Sequence, residues 1–112
     1  MDGTDVDWAA LEAAAVAAMK NAYAPYSKFA VGTAALTADG RIVSGCNVEN
    51  ASYGLTLCAE CALVGNLHMT GGGLLRAFYC VDAGGNVLMP CGRCGQLLHE
   101  FRAPDIELMT TQ

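Results

Sequence analysis

Positive charge is scarce in this chain. Its 112 residues carry six Lys and Arg against eleven Asp and Glu, for a net charge of −5, with no basic run and no Lys/Arg patch interleaved with aromatics. Such a surface repels a phosphate backbone, which excludes a nucleic-acid polymer as partner and leaves small neutral substrates open. Long hydrophobic runs are missing too. The alanine-rich stretch Ala13–Met19 is far shorter than the ~20 residues a membrane helix needs. No charged leader followed by an apolar core opens the sequence, so we expect a cytoplasmic protein with no membrane partner. Charged residues are only 15% of the total and apolar ones 54%. That imbalance predicts that partner subunits cover part of the surface or that some of it lines a pocket.

The length favours one domain over residues 1–112, without repeats or a linker. Asp5 or Asp7 can cap a helix running to about Ala22, with Trp8, Leu11, Ala15, Met19 and Ala22 as its buried stripe and Pro25 as its stop. Phe29–Thr37 and Ile42–Asn47 read as strands joined by the turn Asp39-Gly40. Cys58 to about Met69 reads as a helix with Leu57, Cys61, Val64 and His68 along one side, ended by Gly71-Gly72-Gly73. Leu74–Val81, apolar apart from Arg76, is suited to a central strand. A third helix from Cys91 to about Arg102, Pro104 after its end, and a strand at Ile106–Met109 complete the order. The expected fold class is α/β: a three-layer α/β/α arrangement whose mixed sheet combines an antiparallel hairpin with parallel strands.

Six cysteines in a chain without a secretory leader point to metal ligands, catalytic groups or core thiols rather than disulfides. Cys91 and Cys94 follow Pro90 at i and i+3, which places two sulfurs on one face of a helix's first turn. Cys58 opens another helix. Unsatisfied amides and the dipole at a helix start favour thiolates. Three thiolates make a tetrahedral zinc site with one open position, and Glu60, two residues after Cys58, supplies a carboxylate for proton transfer beside it. Attack of water on an amino-bearing ring carbon, with loss of ammonia, suits this set. Asn47 and Glu49, two apart, leave one face of an extended strand and can together hold a sugar hydroxyl, or they are a solvated strand end. Cys58-x-x-Cys61 with Cys91-x-x-Cys94 is also the pattern of a structural four-thiol zinc module, and Pro-Cys-Gly-Arg-Cys has the form of a redox pair. Cys46 and Cys80 read as ordinary buried thiols, and His68 and His99 as surface or packing residues.

Cys58-Ala59-Glu60 with Pro90-Cys91-Gly92-Arg93-Cys94 matches the zinc deaminase signature, with Cys in place of His as first ligand. In that form the chain resembles the small homotetrameric cytidine deaminases. Ala24-Pro25-Tyr26-Ser27-Lys28-Phe29-Ala30-Val31-Gly32 is similar to that family's opening strand motif, and the segment from Gly45 to Tyr53 to its nucleoside-binding segment. The resemblance spans roughly Tyr23 to Met109. It implies one zinc per chain on Cys58, Cys91 and Cys94, Glu60 as proton shuttle, Asn47 and Glu49 on the ribose, Phe29 against the pyrimidine, and the backbone of Ala59 on the base. It further implies hydrolysis of cytidine or deoxycytidine in pyrimidine salvage, by a homotetramer with pockets at subunit interfaces. Three departures stand out. Many relatives carry arginine where this chain has Cys61 and Gly95. Relatives also continue to a C-terminal aromatic that reaches a neighbour's site, whereas this sequence ends at Thr110-Thr111-Gln112. The resemblance therefore implies a domain that lacks the family's C-terminal segment.

Overall fold

Asp7 accepts a hydrogen bond from the Ala10 amide at 3.0 Å and caps the first helix, α1 (Trp8–Met19). The computed structural model describes residues 6–52, 55–88, 97–98 and 100–109, with side chains up to Phe101. α1 ends three residues before the expected Ala22. The amides of Asn21 and Ala22 turn back onto the carbonyls of Ala18 and Met19. Leu11 and Ala15 are its buried residues, while Trp8, Met19 and Ala22 are only half-buried. The stripe is narrow because the helix backbone lies directly on the sheet at Gly32. A Cβ there would sit 2.0 Å from the Ala15 carbonyl and 2.4 Å from the Met19 amide.

The hairpin forms as expected from β1 (Val31–Thr37) and β2 (Ile42–Cys46). Leu36 faces Ile42, and Gly40 takes a φ of +92° in the turn, where glycine has no steric penalty. β3 (Leu75–Asp82) is buried along most of its length and lies between β1 and β4 (Arg102–Met109). The order is β2-β1-β3-β4, with β1 antiparallel to both neighbours and β3 parallel to β4. β2 and β3 therefore run in the same direction. Helix α2 (Ala59–Met69) is the crossover between them and passes over β1.

Alternation along the strands sends residues to opposite faces. Ala34, Ala77, Tyr79 and Val81 pack with Leu11 and Ala15 of α1. Ala35, Val43, Phe78 and Cys80 pack with Leu63, Val64 and Leu67 of α2, joined by Leu98. The result is the expected three-layer α/β/α arrangement with a mixed sheet. One irregularity breaks the alternation. The β1–β3 register shifts so that Thr37 faces Leu75 while Leu36 faces Ala77, and the extra residue turns Leu75 to the α2 side.

Two expectations need correction. The buried face of α2 is Ala59, Glu60, Leu63, Val64 and Leu67, whereas Leu57 and His68 are exposed and Cys61 half-buried. The sheet, which the helix crosses at Gly45, sets that face: a Cβ on Gly45 would lie 2.4 Å from the Leu63 amide and 2.5 Å from the Ala59 carbonyl. The second correction concerns the last strand. β4 begins at Arg102, so the third helix ends earlier than expected; residues 97, 98 and 100 are helical and Phe101 turns back onto the Leu98 carbonyl at 3.1 Å. Pro104 sits inside β4, at the edge of the sheet. Pairing there jumps from Leu75 opposite Arg102 to Ala77 opposite Glu107, an irregularity that tolerates a residue without an N–H.

Candidate active site

Cys58 is the N-cap of α2, in extended conformation at φ −69° and ψ 154°. Its position puts the sulfur at the positive end of the helix, where thiolate is favoured. Thr33, fully buried on β1, fastens this end of α2 to the sheet. Its hydroxyl lies 3.2 Å from both the Gly45 and the Ala59 carbonyls. The carbonyl of Ala59 is thus taken by the sheet, and its amide is a first-turn donor with no acceptor inside the helix. Glu60, one residue on, is 6% exposed.

The segment after β2 builds the facing wall. β2 ends at Cys46, but Val48 continues as an isolated bridge, its backbone bonded to Leu57 on one side while its neighbours bond to Tyr23 on the other. Alternation about Val48 sends Asn47 and Glu49 to one side. The side chain of Asn47 accepts from the Val31 amide at 2.9 Å and donates to the Phe29 carbonyl at 2.9 Å. One oxygen of Glu49 accepts from the amides of Tyr26 (3.0 Å) and Ser27 (3.1 Å), and the other from the Ser27 hydroxyl. These bonds, that from the Ser27 hydroxyl first, hold the carboxyl of Glu49 below its ordinary pKa.

A cavity of about 340 Å³ lies between these elements, within the range of small-molecule sites. Phe29, Asn47, Glu49, Cys58, Ala59 and Glu60 all line it. Every expected site residue within the described residues therefore meets in one pocket. Cys91 and Cys94 lie outside the described residues, as do His99, Gly95 and Pro90. Among the described residues no three His, Cys, Asp or Glu side chains come together as a metal site. What is described fits zinc in its chemistry: a thiol at a helix start and a buried carboxylate two residues later share one cavity. Cys61 is not among the described lining residues, which weighs against a four-thiol module.

The sequence reading missed Cys80, Thr56, Val31 and Leu88, which also line the cavity. The sequence marks Cys80 only as a core thiol. It is buried at 1% exposure, and its pKa is pushed up to about 12 by burial first and then by the charges of Glu60 and Asp82. It stands as a neutral thiol in the wall near Glu60. Nothing local in the sequence signals this, because β3 meets the pocket only through the sheet. Cys46, expected to be buried, is only half-buried. His68 is a packing residue, as expected, with its ring edge-on to Phe101 at 4.8 Å.

A family model described as the cytidine and deoxycytidylate deaminase zinc-binding region matches residues 7–110. The chain belongs to that family. Among its relatives in the deaminase family is the cytidine deaminase of Mycobacterium tuberculosis, 67% identical over 102 residues that cover 91% of this chain and 77% of that one. A cytidine deaminase of Halalkalibacterium halodurans is 39% identical over 94 residues, covering 84% of this chain and 71% of the other. The crystal structure of cytidine deaminase from Mycobacterium leprae superposes with a TM-score of 0.91 at 59% identity, covering 95% of this chain and 89% of that chain. The deaminase fold and the pocket thus agree with the motif on which the resemblance rested.

Proposed function

We propose that this chain is a zinc-dependent enzyme that hydrolyses cytidine or deoxycytidine to the corresponding uridine nucleoside and ammonia. One observation carries the reading: a single cavity gathers Cys58, Glu60, Phe29, Asn47 and Glu49 from segments far apart in the chain. Cys58, Cys91 and Cys94 would hold one zinc ion. Zinc, when bound, supplies Lewis-acid activation of water near neutral pH.

The other steps belong to this chain's own residues. Phe29 packs on the pyrimidine face, and Asn47 with Glu49 holds the sugar hydroxyls. The amide of Ala59 is placed to donate to the base. Glu60 takes a proton from the attacking water and delivers it to the ring nitrogen beside the amino-bearing carbon. As the new carbon–oxygen bond becomes a carbonyl, the carbon–nitrogen bond breaks, and Glu60 passes a second proton to the departing amine. Burial of Glu60 keeps bulk water from competing for those protons.

Exposed apolar side chains surround this region. Tyr23, Tyr26, Leu55 and Leu57 are each about half or more exposed. They support a homotetramer that covers them and closes the pocket at a subunit interface. A role in pyrimidine salvage follows from the reaction. No helix among the described residues is long and apolar enough to cross a membrane.

The test is zinc content measured together with the loss of cytidine absorbance, for the wild type and Glu60→Gln. The proposal expects one zinc per chain in both and turnover only in the wild type. Zinc without turnover in the wild type, or turnover surviving in Glu60→Gln, overturns it.

A further inference from the structure

We infer that Ser27 is a positioning residue of the nucleoside pocket, whose hydroxyl ties the carboxylate of Glu49 to the backbone that presents Phe29. The inference rests on the proposed reading that Glu49 and Phe29 contact the nucleoside. The Ser27 hydroxyl donates to one oxygen of Glu49 and accepts from the Phe29 amide at 3.0 Å. The other oxygen of Glu49 takes the amides of Tyr26 and Ser27. Asn47 closes the unit by donating to the Phe29 carbonyl and accepting from the Val31 amide. The sugar-directed pair and the base-directed ring are thus one hydrogen-bonded assembly with Ser27 at its centre.

Burial does not hold this segment. Tyr26 is 60% exposed and Phe29 49%, so apolar packing within the chain restrains neither ring strongly. Lys28, between Ser27 and Phe29, has a φ of +62°, a left-handed conformation that a lysine keeps only when its surroundings impose it. The bonds at Ser27 and Phe29 are those surroundings. A carboxylate has about four acceptor positions, and three hydrogen bonds from the 26–27 segment occupy Glu49. Ser27 therefore also decides where the remaining lone pair of Glu49 is aimed.

The experiment is steady-state kinetics on the zinc-loaded enzyme with cytidine and with 2′,3′-dideoxycytidine, the latter used as a competitive inhibitor if it is not turned over. The variants are Ser27→Ala, Ser27→Thr, Glu49→Gln and the Ser27→Ala/Glu49→Gln double variant. Loss of a hydrogen bond to a charged group predicts a KM for cytidine raised ~10-fold in Ser27→Ala, with kcat changed far less. The rise is smaller for the dideoxy compound, Ser27→Thr restores most of it, and in the Glu49→Gln background Ser27→Ala adds little. A raised KM in Glu49→Gln with an unchanged KM in Ser27→Ala overturns the role of Ser27 and leaves the pocket reading intact. No change in Glu49→Gln overturns the pocket reading, and this inference with it. An equal rise for both compounds that threonine does not rescue means a general loss of structure, and it too overturns the role. If Ser27→Ala does not fold, Ser27→Cys, which keeps the shape and weakens the hydrogen bonds, is judged by the same outcomes.

Discussion

One methyl group on Gly45 should displace the helix that carries Glu60, the proposed proton shuttle. A Cβ at Gly45 would lie 2.4 Å from the Leu63 amide, 2.5 Å from the Ala59 carbonyl and 2.9 Å from the Leu63 Cα. Ordinary contact lies near ~3.5 Å, so α2 must recede by roughly 1 Å. The obstacles are backbone atoms, which no rotamer change can move. Overpacking of this kind costs ~1–3 kcal/mol, and receding also stretches the hydrogen bond from Thr33 to Ala59, worth ~1 kcal/mol. The lower chain entropy of alanine in the unfolded state returns only ~0.4–1 kcal/mol. Gly45→Ala should therefore lose about 2–3 kcal/mol, or a fall in Tm of ~10 °C. Activity should drop further than stability, because a misplacement of ~1 Å at reacting groups can cost about a hundredfold in rate. Gly65, on the same helix, is the control. It is exposed with nothing within 4 Å of an added Cβ, so Gly65→Ala should gain ~0.5–1 kcal/mol from helix propensity alone. Thermal denaturation and cytidine turnover of both variants measure the contrast. An unchanged Tm and kcat in Gly45→Ala would refute the close crossing and the link between this contact and Glu60.

Three further outcomes follow from single contacts. Arg41 donates to the Thr70 carbonyl at 2.6 Å, to the Thr70 hydroxyl at 3.0 Å and to the Gly72 carbonyl, so it caps the C-terminal end of α2. Arg41→Ala should cost ~1–2 kcal/mol in urea denaturation while zinc content and kcat stay unchanged; its surface ion pair with Asp39 adds little. Tyr79, buried on β3, donates to Glu12 at 2.8 Å, and burial followed by Glu12 pushes its pKa from 10.0 up to about 12. The raised value in the folded protein means that this stability is complete below pH 10 and lost as pH rises from there toward 12. Alkaline denaturation followed by circular dichroism should show Tyr79→Phe flatter over that window. Glu49 has its pKa lowered by Ser27 first, so its contribution is present above the ordinary carboxylate range and fades as pH falls through it. Acid denaturation of Glu49→Gln should lack that loss.

Local chemistry was legible in the sequence. Asp7 capping α1, the Asp39-Gly40 turn, the apolar run of β3 and Cys58 at the start of α2 all depend on neighbours a few residues away, and the structure has them at or near the expected places. The site motif was legible for the same reason: Cys58 and Glu60 are two apart, and Asn47 and Glu49 flank one bridged residue. What depends on distant segments was not legible. The face of α2 that turns inward follows from Gly45, fourteen residues before the helix begins at Ala59. The register shift at Leu75 reverses a side chain that periodicity assigns to the other face. Pro104 is accommodated inside β4 because that strand lies at the sheet edge, a position set by the order of all four strands. Cys80 joins the pocket wall only because β3 lies beside β1 in the sheet with Cys80 on the face that α2 covers. Side-chain partners of Asn47 and Glu49 lie sixteen to twenty-three residues away, on the 26–31 segment. Short-range preferences specify elements and motifs, while close packing and hydrogen bonding between remote segments choose their faces, registers and partners.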